Sequence, residues 1–220
     1  VRALNVIPHG RGLGSSASAI IGGLCLARAL VLTGIDKMSD EKLLQLATEM
    51  EGHPDNVAAA LYGGAVVAWS EEQHGKNTSL AIQLSVDTRI RAIAFIPAKA
   101  VSTAKARKML PETIPHSDAV KNSTNSALLL HALTLRPDLL FKATEDFLHQ
   151  SYRQEAMPTS FALLNKLRGA GVAAFISGAG PTVLALHTGD ESEVAELARA
   201  AGEKFEAKAI EVSPSGAVIL

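Results

Sequence analysis

The sequence contains only one cysteine, Cys25, within a stretch whose apolar residues are typical of a helix. A single cysteine excludes an intramolecular disulfide framework, and with it the class of small secreted proteins that such frameworks hold together. Core packing is the ordinary role for such a thiol. Because a lone cysteine fits a reducing compartment, we expect a cytoplasmic protein.

Neither sign of charge is in excess, since 21 Lys and Arg residues stand against 22 Asp and Glu residues, for a formal net charge of −1. This balance gives no broad attraction to nucleic acid or to an anionic membrane surface, so we expect neither as a partner. The sequence also shows no signal-peptide pattern and no uncharged apolar run long enough to span a bilayer. Its 220 residues, 47% of them hydrophobic, are typical of a globular protein with ample core.

The sequence lacks the P-loop that many ATP-binding proteins use. That pattern ends in Gly-Lys-Ser or Gly-Lys-Thr, whereas the one Gly-Lys pair here, Gly75-Lys76, is followed by Asn77. An initiator methionine is missing too, and the chain opens in a predicted strand, so we expect a fragment of a longer protein.

A glycine-rich turn that leads into an apolar helix is the most informative stretch. Gly12 and Gly14 lack a Cβ, so the backbone there can adopt positive φ angles and approach a ligand closely. Ser15, Ser16 and Ser18 lie at the start of the helix, where free N–H groups and the helix dipole favour an anion. Their hydroxyls add donors for phosphate, or a hard oxygen ligand for Mg2+. The predicted phosphate-binding residues are Pro8, His9, Gly10, Arg11, Gly12, Leu13, Gly14, Ser15, Ser16, Ala17 and Ser18.

Two other interpretations of this turn stay open. A glycine turn with a serine cap can start a helix without binding any ligand. Gly12 to Ala17 also matches the dinucleotide-binding fingerprint, with Asp36 near the expected acidic position. That fingerprint follows its strand at once, whereas Pro8 to Arg11 intervene here and no βαβ series follows. A Rossmann domain is therefore the weaker alternative.

Hydrophobic periodicity and turn residues predict a mixture of helices and strands. We expect a strand from Leu4 to Ile7, a polar loop from Glu71 to Thr78 and a helix from Pro137 to Gln150. Towards the C terminus we expect a helix from Glu191 to Ala201 and a strand from Ala217 to Leu220. The order of these elements indicates an α+β fold.

Three stretches together resemble the signatures of the GHMP kinases, the family of galactose, homoserine, mevalonate and phosphomevalonate kinases. They are Pro8 to Ala17, Glu51 to Gly64 and Ser177 to Thr182. The segment Glu51-Gly52-His53-Pro54-Asp55-Asn56-Val57 resembles the homoserine kinase branch in particular. Further stretches similar to that branch are Ser102-Thr103 with Arg107, Asp118-Ala119-Val120, and Leu148-His149-Gln150 with Tyr152-Arg153.

The resemblance implies the GHMP kinase fold, of class α+β. Its first domain would be similar to the second domain of ribosomal protein S5, truncated here because the N-terminal part of the family is missing. Its second domain would be ferredoxin-like. We expect the remainder of the N-terminal ATP-binding domain at residues 1–86 and the C-terminal domain at residues 87–220.

The resemblance also implies an activity, the Mg2+-dependent transfer of a phosphoryl group from ATP to L-homoserine in threonine biosynthesis. The alternatives are another GHMP-family kinase of the mevalonate type and a non-catalytic ligand sensor with the same fold. A small-molecule substrate is thus the expected partner. A homodimer is left open, and the fragment alone is expected to be inactive.

For the metal, the resemblance assigns Mg2+ to the Ser16 hydroxyl and the Glu51 carboxylate, which are hard oxygen ligands. Glu49 competes with Glu51, because the segment from helix to loop looks shorter than in some relatives. From the spacing alone, the simpler interpretation of Glu51 is a solvated residue at the end of a helix.

His53, Asp55 and Asn56 form a polar cluster on a turn. The resemblance places them against the ammonium and hydroxyl groups of the substrate, with Asp55 and Asn56 as catalytic residues. Whether Asp55 is a base or only positions the substrate stays open, since phosphoryl transfer needs alignment and charge neutralisation more than proton removal. From the residues alone, Asp55 and Asn56 could simply cap the helix from Val57 to Tyr62.

Arg153 carries a planar guanidinium, which is suited to bidentate capture of a carboxylate. The resemblance assigns it to the substrate carboxylate, with the backbone of Gly178 and Gly180 beside the substrate. The plain alternatives are an exposed arginine and a simple hairpin turn. Relatives commonly carry an arginine at the position of Asn125, so we expect a weakened carboxylate site unless Lys121 supplies the charge.

Overall fold

The computed structural model describes residues 1–73, 75–189, 196, 197, 199 and 201–219. The α-helices in these residues are α1 Ser15–Leu30, α2 Gly34–Lys37, α3 Asp40–Glu51, α4 Asp55–Tyr62, α5 Thr103–Lys108, α6 His116–Thr134, α7 Leu140–Ala143 and α8 Pro158–Gly169. The strands are β1 Ala65–Gln73, β2 Lys76–Leu84, β3 Arg91–Pro97, β4 Ala173–Ile176, β5 Val183–His187 and β6 Phe205–Ile210. Two 3-10 segments span Pro137–Leu139 and Ser151–Ala156. Of the helix predicted from Glu191 to Ala201, residues 191–195, 198 and 200 lie outside the described residues, and the four described ones, Glu196, Leu197, Arg199 and Ala201, are helical.

The mixture of helices and strands confirms the predicted α+β class. None of the helices in the described ranges is long and apolar enough to cross a membrane.

The chain divides into two compact units. One contains Val1–Leu13 with Asp87–Glu211, and the other contains Gly14–Val86 with the residues from Val212 onward. The chain changes unit at the residue where the sequence placed a domain boundary. The division into 1–86 and 87–220 differs from the two units at both ends of the chain. Residues 1–13 belong to the unit of Asp87–Glu211, and the residues from Val212 onward belong to the unit of Gly14–Val86.

Backbone hydrogen bonds explain both exchanges. The Val101 N–H donates to the Gly10 carbonyl over 3.2 Å, which holds the N-terminal segment in the unit of β3. The Ala217 N–H donates to the Ala60 carbonyl over 3.0 Å, near the end of α4. The strand predicted from Ala217 to Leu220 is therefore wrong for residues 217–219, which pack against a helix end instead of a neighbouring strand.

In the unit that contains Gly14–Val86, α1 packs against α3 and α4. The apolar side chains that hold them together are buried: Ala17, Ile21, Cys25, Leu43, Leu44, Ala47, Val57, Ala58 and Leu61. Cys25 is thus a core residue, as predicted, and burial raises the pKa of its thiol. This packing fixes the start of α1 relative to the end of α3 and the start of α4.

A hairpin of β1 and β2 completes this unit, with antiparallel pairing that runs from Ala65 opposite Leu84 to Gln73 opposite Lys76. The polar loop predicted from Glu71 to Thr78 is therefore wrong. Ladder hydrogen bonds use backbone groups, which polar residues supply as well as apolar ones.

The strand predicted from Leu4 to Ile7 is also wrong. Leu4 and Val6 are exposed, and neither sheet formed by the described residues includes this segment. A strand requires a neighbour for its backbone groups, which a local apolar pattern cannot supply.

The other unit contains an antiparallel four-stranded sheet in the order β4-β5-β3-β6. Counted within the unit, this is the order second, third, first, fourth, which is the split βαβ arrangement of ferredoxin-like domains. Its core is formed mainly by strand residues and one face of α8, namely Ile93, Phe95, Met157, Phe161, Leu163, Leu164, Leu167, Ala174, Ile176, Val183, Ala185 and Leu197.

The helix predicted from Pro137 to Gln150 ends at Ala143, because polar contacts from α6 hold the chain in another conformation beyond it. Asn125, which is only 2% exposed, donates from Nδ2 to the Glu145 carbonyl over 3.0 Å. Its amide therefore serves the interior of the fold, whereas the sequence suggested a position that faces the substrate.

This contact generates a prediction for Asn125→Arg. The variant should lower the free energy of unfolding by about 3 kcal/mol, because it loses a buried hydrogen bond and forces a charge into a closed position. Urea denaturation measures the change. Ser123→Arg, at an exposed position of α6, is the matched control and should stay within about 0.5 kcal/mol of the parent. An Asn125→Arg variant as stable as the parent would contradict the buried role.

Candidate active site

The start of α1 is formed without a capping side chain. Gly14 occupies the N-cap position with a φ of 72°, and the first helical hydrogen bond runs from the Ser18 N–H to the Gly14 carbonyl over 2.9 Å. Ser15 and Ser16 lie inside the first turn, so the serine-cap interpretation is not what the structure shows. The N–H groups of Ser16 and Ala17 lie in the first turn, before the first helical hydrogen bond, where no helical carbonyl precedes them to accept. They provide the donors that an anion needs.

Ser16 and Glu51 lie side by side next to this helix start. The Ser16 hydroxyl donates to Glu51 Oε2 over 2.8 Å. Glu51 is the last residue of α3, which ends there because Gly52 has a φ of 92°. Glu49 is exposed instead, and its Oε1 accepts from Gln45 Nε2 over 3.0 Å. The structure thus brings Glu51, rather than Glu49, to Ser16.

One hydroxyl and one carboxylate do not form a self-sufficient metal site. Among the described residues, no group of three His, Cys, Asp or Glu side chains is placed to hold a metal ion. Mg2+, however, commonly keeps several waters and is held by one or two carboxylates together with substrate phosphates. The oxygen atoms of Ser16 and Glu51, next to the first-turn N–H groups of α1, fit a magnesium ion that binds with a phosphate ligand.

The start of α4 carries the polar cluster predicted from the sequence. His53 Nδ1 and Asp55 Oδ1 are 2.5 Å apart, and the same Asp55 oxygen accepts the Asn56 N–H over 2.6 Å. Helix α4 begins at Asp55 with Pro54 at the N-cap, so Asp55 and Asn56 lie in its first turn. Both side chains belong to exposed residues. Neither therefore takes the capping position that the plain interpretation gave them.

Asn56 also faces the start of α1. A Cβ built on Gly14 would stand 4.0 Å from Asn56 Oδ1. The side-chain amide of Asn56 therefore lies next to Gly14, the N-cap residue of α1.

In the unit that contains β3, Arg11 holds the N-terminal loop. Its Nε donates to the Pro97 carbonyl over 2.9 Å, its Nη1 to the His9 carbonyl over 3.0 Å, and its Nη2 to the Ala98 carbonyl over 2.5 Å. The sequence placed Arg11 among the phosphate-binding residues. The structure uses its guanidinium to fix the loop conformation.

Gly12 lies against the turn between β4 and β5. The Ser177 hydroxyl donates to the Gly12 carbonyl over 2.7 Å, and a Cβ on Gly12 would come within 2.2 Å of the Ser177 carbonyl oxygen. Within the turn, the Gly180 N–H donates to the Ser177 carbonyl over 2.8 Å. Gly180 is buried, whereas Gly178 is exposed. The segment is thus a hairpin turn, and it also requires glycine at position 12.

Arg153 is buried, with 7% of its surface exposed, so the interpretation as an exposed arginine is wrong. Its Nη1 donates to the Gly178 carbonyl over 3.0 Å, and its buried Nε has no hydrogen-bond partner among the described residues. Burial lowers the pKa of the guanidinium; the carboxylate of Asp146 raises it and the charge of Arg107 lowers it. A buried cation with an unused donor fits an anionic ligand.

In the sequence, Arg107 was only part of a stretch that resembles the homoserine kinase branch, with no role assigned to it. Its charge lowers the pKa of Arg153, so it is a second positive charge within electrostatic range of that guanidinium. Lys121, considered earlier as a substitute charge, pairs instead with Asp118 Oδ1 over 3.1 Å. Its ammonium also lies 5.0 Å from the centre of the Phe147 ring. No pattern in the sequence distinguished Arg107 from Lys121 as the second positive charge.

Two models of protein-family domains match this chain. Residues 1–64 match the N-terminal domain of the GHMP kinases, and residues 125–207 match the C-terminal domain of that family. The homoserine kinase of Streptomyces avermitilis is 50% identical over 216 residues, which cover 98% of this chain and 69% of that protein. The homoserine kinase of Mycobacterium tuberculosis is 50% identical over 192 residues, which cover 87% of this chain and 61% of that protein.

Solved structures show the same relationship. The homoserine kinase of Cytophaga hutchinsonii matches with a TM-score of 0.80 and 27% identity, covering 96% of this chain and 69% of that one. The mevalonate kinase of L. major matches with a TM-score of 0.61 at 18% identity, covering 93% of this chain and 67% of that one, and shares the fold. The chain belongs to the GHMP kinase family and, within it, to the homoserine kinases.

Proposed function

We propose that the protein transfers the γ-phosphoryl group of ATP to the side-chain hydroxyl of L-homoserine, giving O-phospho-L-homoserine and ADP in threonine biosynthesis. The observation that carries the proposal is the start of α1, which has no capping side chain, beside the Ser16–Glu51 pair. The 50% sequence identity to a homoserine kinase supports it. An anion site with a hard oxygen pair is what an ATP phosphate chain with magnesium requires.

The phosphates of ATP are proposed to bind along the stretch from Pro8 to Ser18. The first-turn N–H groups of α1 donate to phosphate oxygens, as expected at a helix N-terminus. Arg11 keeps the preceding loop in shape through its three carbonyl contacts. A rigid loop supports binding because less conformational entropy is lost when the ligand is ordered.

Ser16 and Glu51 are proposed as the magnesium ligands. When bound, the ion neutralises charge on the phosphates in the transition state. The hydrogen bond between the two side chains supports the assignment, because it holds both oxygens in place before the ion arrives. The position of Glu49 beside Gln45 argues against that residue as the carboxylate ligand.

His53, Asp55 and Asn56 are proposed to hold the ammonium and hydroxyl groups of homoserine. In the reaction the homoserine oxygen forms a bond to the γ-phosphorus and the bond to the departing ADP oxygen breaks. The hydroxyl proton leaves to Asp55 or to solvent. His53 supports Asp55 in either role, because its contact over 2.5 Å fixes the carboxylate.

Arg153 is proposed to bind the carboxylate of homoserine. Its burial and its unused Nε support this, because a desolvated guanidinium binds a carboxylate more strongly than an exposed one does. Arg107 adds positive charge at the same place. The turn that carries Gly178 and Gly180 supplies the backbone beside it. We place the reaction in the cytoplasm, and a homodimer stays a prediction.

A panel of acceptors tests the function in the whole protein that the gene encodes. L-homoserine, L-homoserine amide and mevalonate are compared by ADP release with Mg-ATP, and 31P NMR identifies the product. The kcat/KM for L-homoserine should exceed that for the amide by about tenfold or more, since the amide has no negative charge and only one oxygen that can accept from the guanidinium. Preferred turnover of mevalonate would indicate a mevalonate-type kinase. Nucleotide binding without any turnover would indicate a sensor.

The metal assignment predicts that Glu51→Gln lowers kcat by about a hundredfold, because a metal that neutralises phosphate charge contributes several kcal/mol. Glu49→Gln is the matched control and should change kcat by less than about twofold. Steady-state kinetics at saturating ATP and a thermal unfolding curve for each variant check this. A silent Glu51→Gln with a damaging Glu49→Gln would reverse the assignment.

A further inference from the structure

The segment between α7 and Arg153 is organised around the carboxylate of Asp146. This carboxylate accepts the N–H groups of Leu148 over 3.1 Å, His149 over 3.0 Å and Gln150 over 2.5 Å. His149 Nδ1 contacts it as well, over 3.1 Å. Burial raises the pKa of this carboxyl, but the hydrogen bonds outweigh that effect, and the pKa is lower than usual. Asp146 is therefore an ionised group whose carboxylate holds the backbone of residues 148–150 in a turn.

Helix α6 fixes the residues on both sides of Asp146. Asn122 Oδ1 accepts the Phe147 N–H over 3.1 Å, and Asn125 Nδ2 donates to the Glu145 carbonyl over 3.0 Å. The backbone of residue 146 is thus held between two side-chain contacts to one helix. These contacts restrict the position of the Asp146 side chain.

Gln150 connects this turn to Arg153 and to the sheet. Its carbonyl accepts the Arg153 N–H over 3.0 Å, and its side-chain Oε1 accepts the Ile176 N–H over 3.1 Å. Arg153 in turn donates to the Gly178 carbonyl. Gln150 is thereby attached to Ile176, the last residue of β4, and Arg153 to Gly178 in the turn that follows. The direction of the guanidinium therefore depends on the turn that contains Asp146.

Asp146 also acts on Arg153 through its charge. Burial disfavours the charged guanidinium, and the Asp146 carboxylate opposes this effect, whereas Arg107 adds to it. In the described part of the chain, the titratable side chain that contacts Asp146 is the imidazole of His149, which lies on the same turn. The carboxylate therefore both shapes the segment and stabilises the buried cation on it.

We propose that Asp146 is a positioning residue that holds Arg153 in the orientation needed to bind the carboxylate of homoserine. Asp146 acts through Arg153 and touches no reacting atom. The inference rests on the proposed function, because it assumes that Arg153 meets that carboxylate.

The test compares Asp146→Asn, Asp146→Glu and Arg153→Ala in the whole protein, with L-homoserine and L-homoserine amide as acceptors. Asp146→Asn should raise KM for L-homoserine about tenfold, as expected when one charge-assisted hydrogen bond is weakened, with kcat within about twofold. KM for the amide should change by less than about twofold. Asp146→Glu, which keeps the charge, should restore part of the loss. Asp138→Asn is the matched control, since Asp138 pairs with Arg136 on the surface.

The outcomes separate this inference from the proposed function. If Arg153→Ala raises KM for L-homoserine but Asp146→Asn does not, the positioning role is overturned and the function stands. If Arg153→Ala leaves the preference for L-homoserine over its amide unchanged, the carboxylate assignment fails, and the positioning role fails with it. Equal rises in KM for both acceptors, with a lower melting temperature, would show that Asp146 is only structural.

A second variant decides the matter if Asp146→Asn does not fold. Gln150→Met removes the acceptor for the Ile176 N–H and leaves the Asp146 turn in place. We expect it to raise KM selectively for L-homoserine, by about threefold, since one neutral hydrogen bond is lost. An unchanged KM ratio between the two acceptors in this variant would overturn the proposed attachment of Arg153.

Discussion

The candidate site depends on helix α1, which starts without a capping side chain. At Gly14 the backbone adopts a left-handed conformation, and α1 begins with N–H groups that nothing in the helix satisfies. A start of this kind costs stability unless a ligand or water takes the place of the cap. The apolar contacts of α1 with α3 and α4 hold it in place. The same packing brings Glu51 to Ser16 and Asn56 to Gly14.

Arginines in the unit that contains β3 divide into two kinds. Arg11 and Arg168 are engaged with carbonyl oxygens: Arg168 donates to the Ala174 carbonyl over 3.0 Å and to the Phe141 carbonyl over 2.8 Å. Arg168 also lies 4.4 Å from the centre of the Phe141 ring. Arg153 is more deeply buried than most arginines, yet it makes one such contact and keeps an unused Nε. The contrast marks Arg153 as an arginine suited to a ligand, and Arg11 and Arg168 as structural.

The sequence could predict what depends on local chemistry. Positive φ at Gly12 and Gly14, a helix after the serines and a hairpin near Gly178 all follow from residue types. It could not predict the contact between Ser16 and Glu51, because these residues are brought together by the packing of two helices. Hence the sequence left Glu49 open as an alternative.

Errors in the predicted elements have the same origin. The segment from Pro137 to Gln150 has the periodicity of a helix, but the Asp146 carboxylate and the α6 asparagines offer its backbone other partners. Leu4 to Ile7 has a strand pattern, yet neither sheet of the described chain takes it up. For Asn125 the sequence indicated a substrate contact weakened by the loss of an arginine, because the burial of the residue cannot be seen in a sequence.

The central claim is that the first-turn N–H groups of α1 bind the phosphates of the nucleotide. The most direct measurement is the 1H–15N correlation spectrum of the whole protein during a titration with ADP and Mg2+. The account predicts that the amide signals of Ser15, Ser16 and Ala17 shift most among all assigned residues, because their hydrogens become donors to phosphate oxygen. Saturable binding of ADP with these three signals unmoved would contradict it.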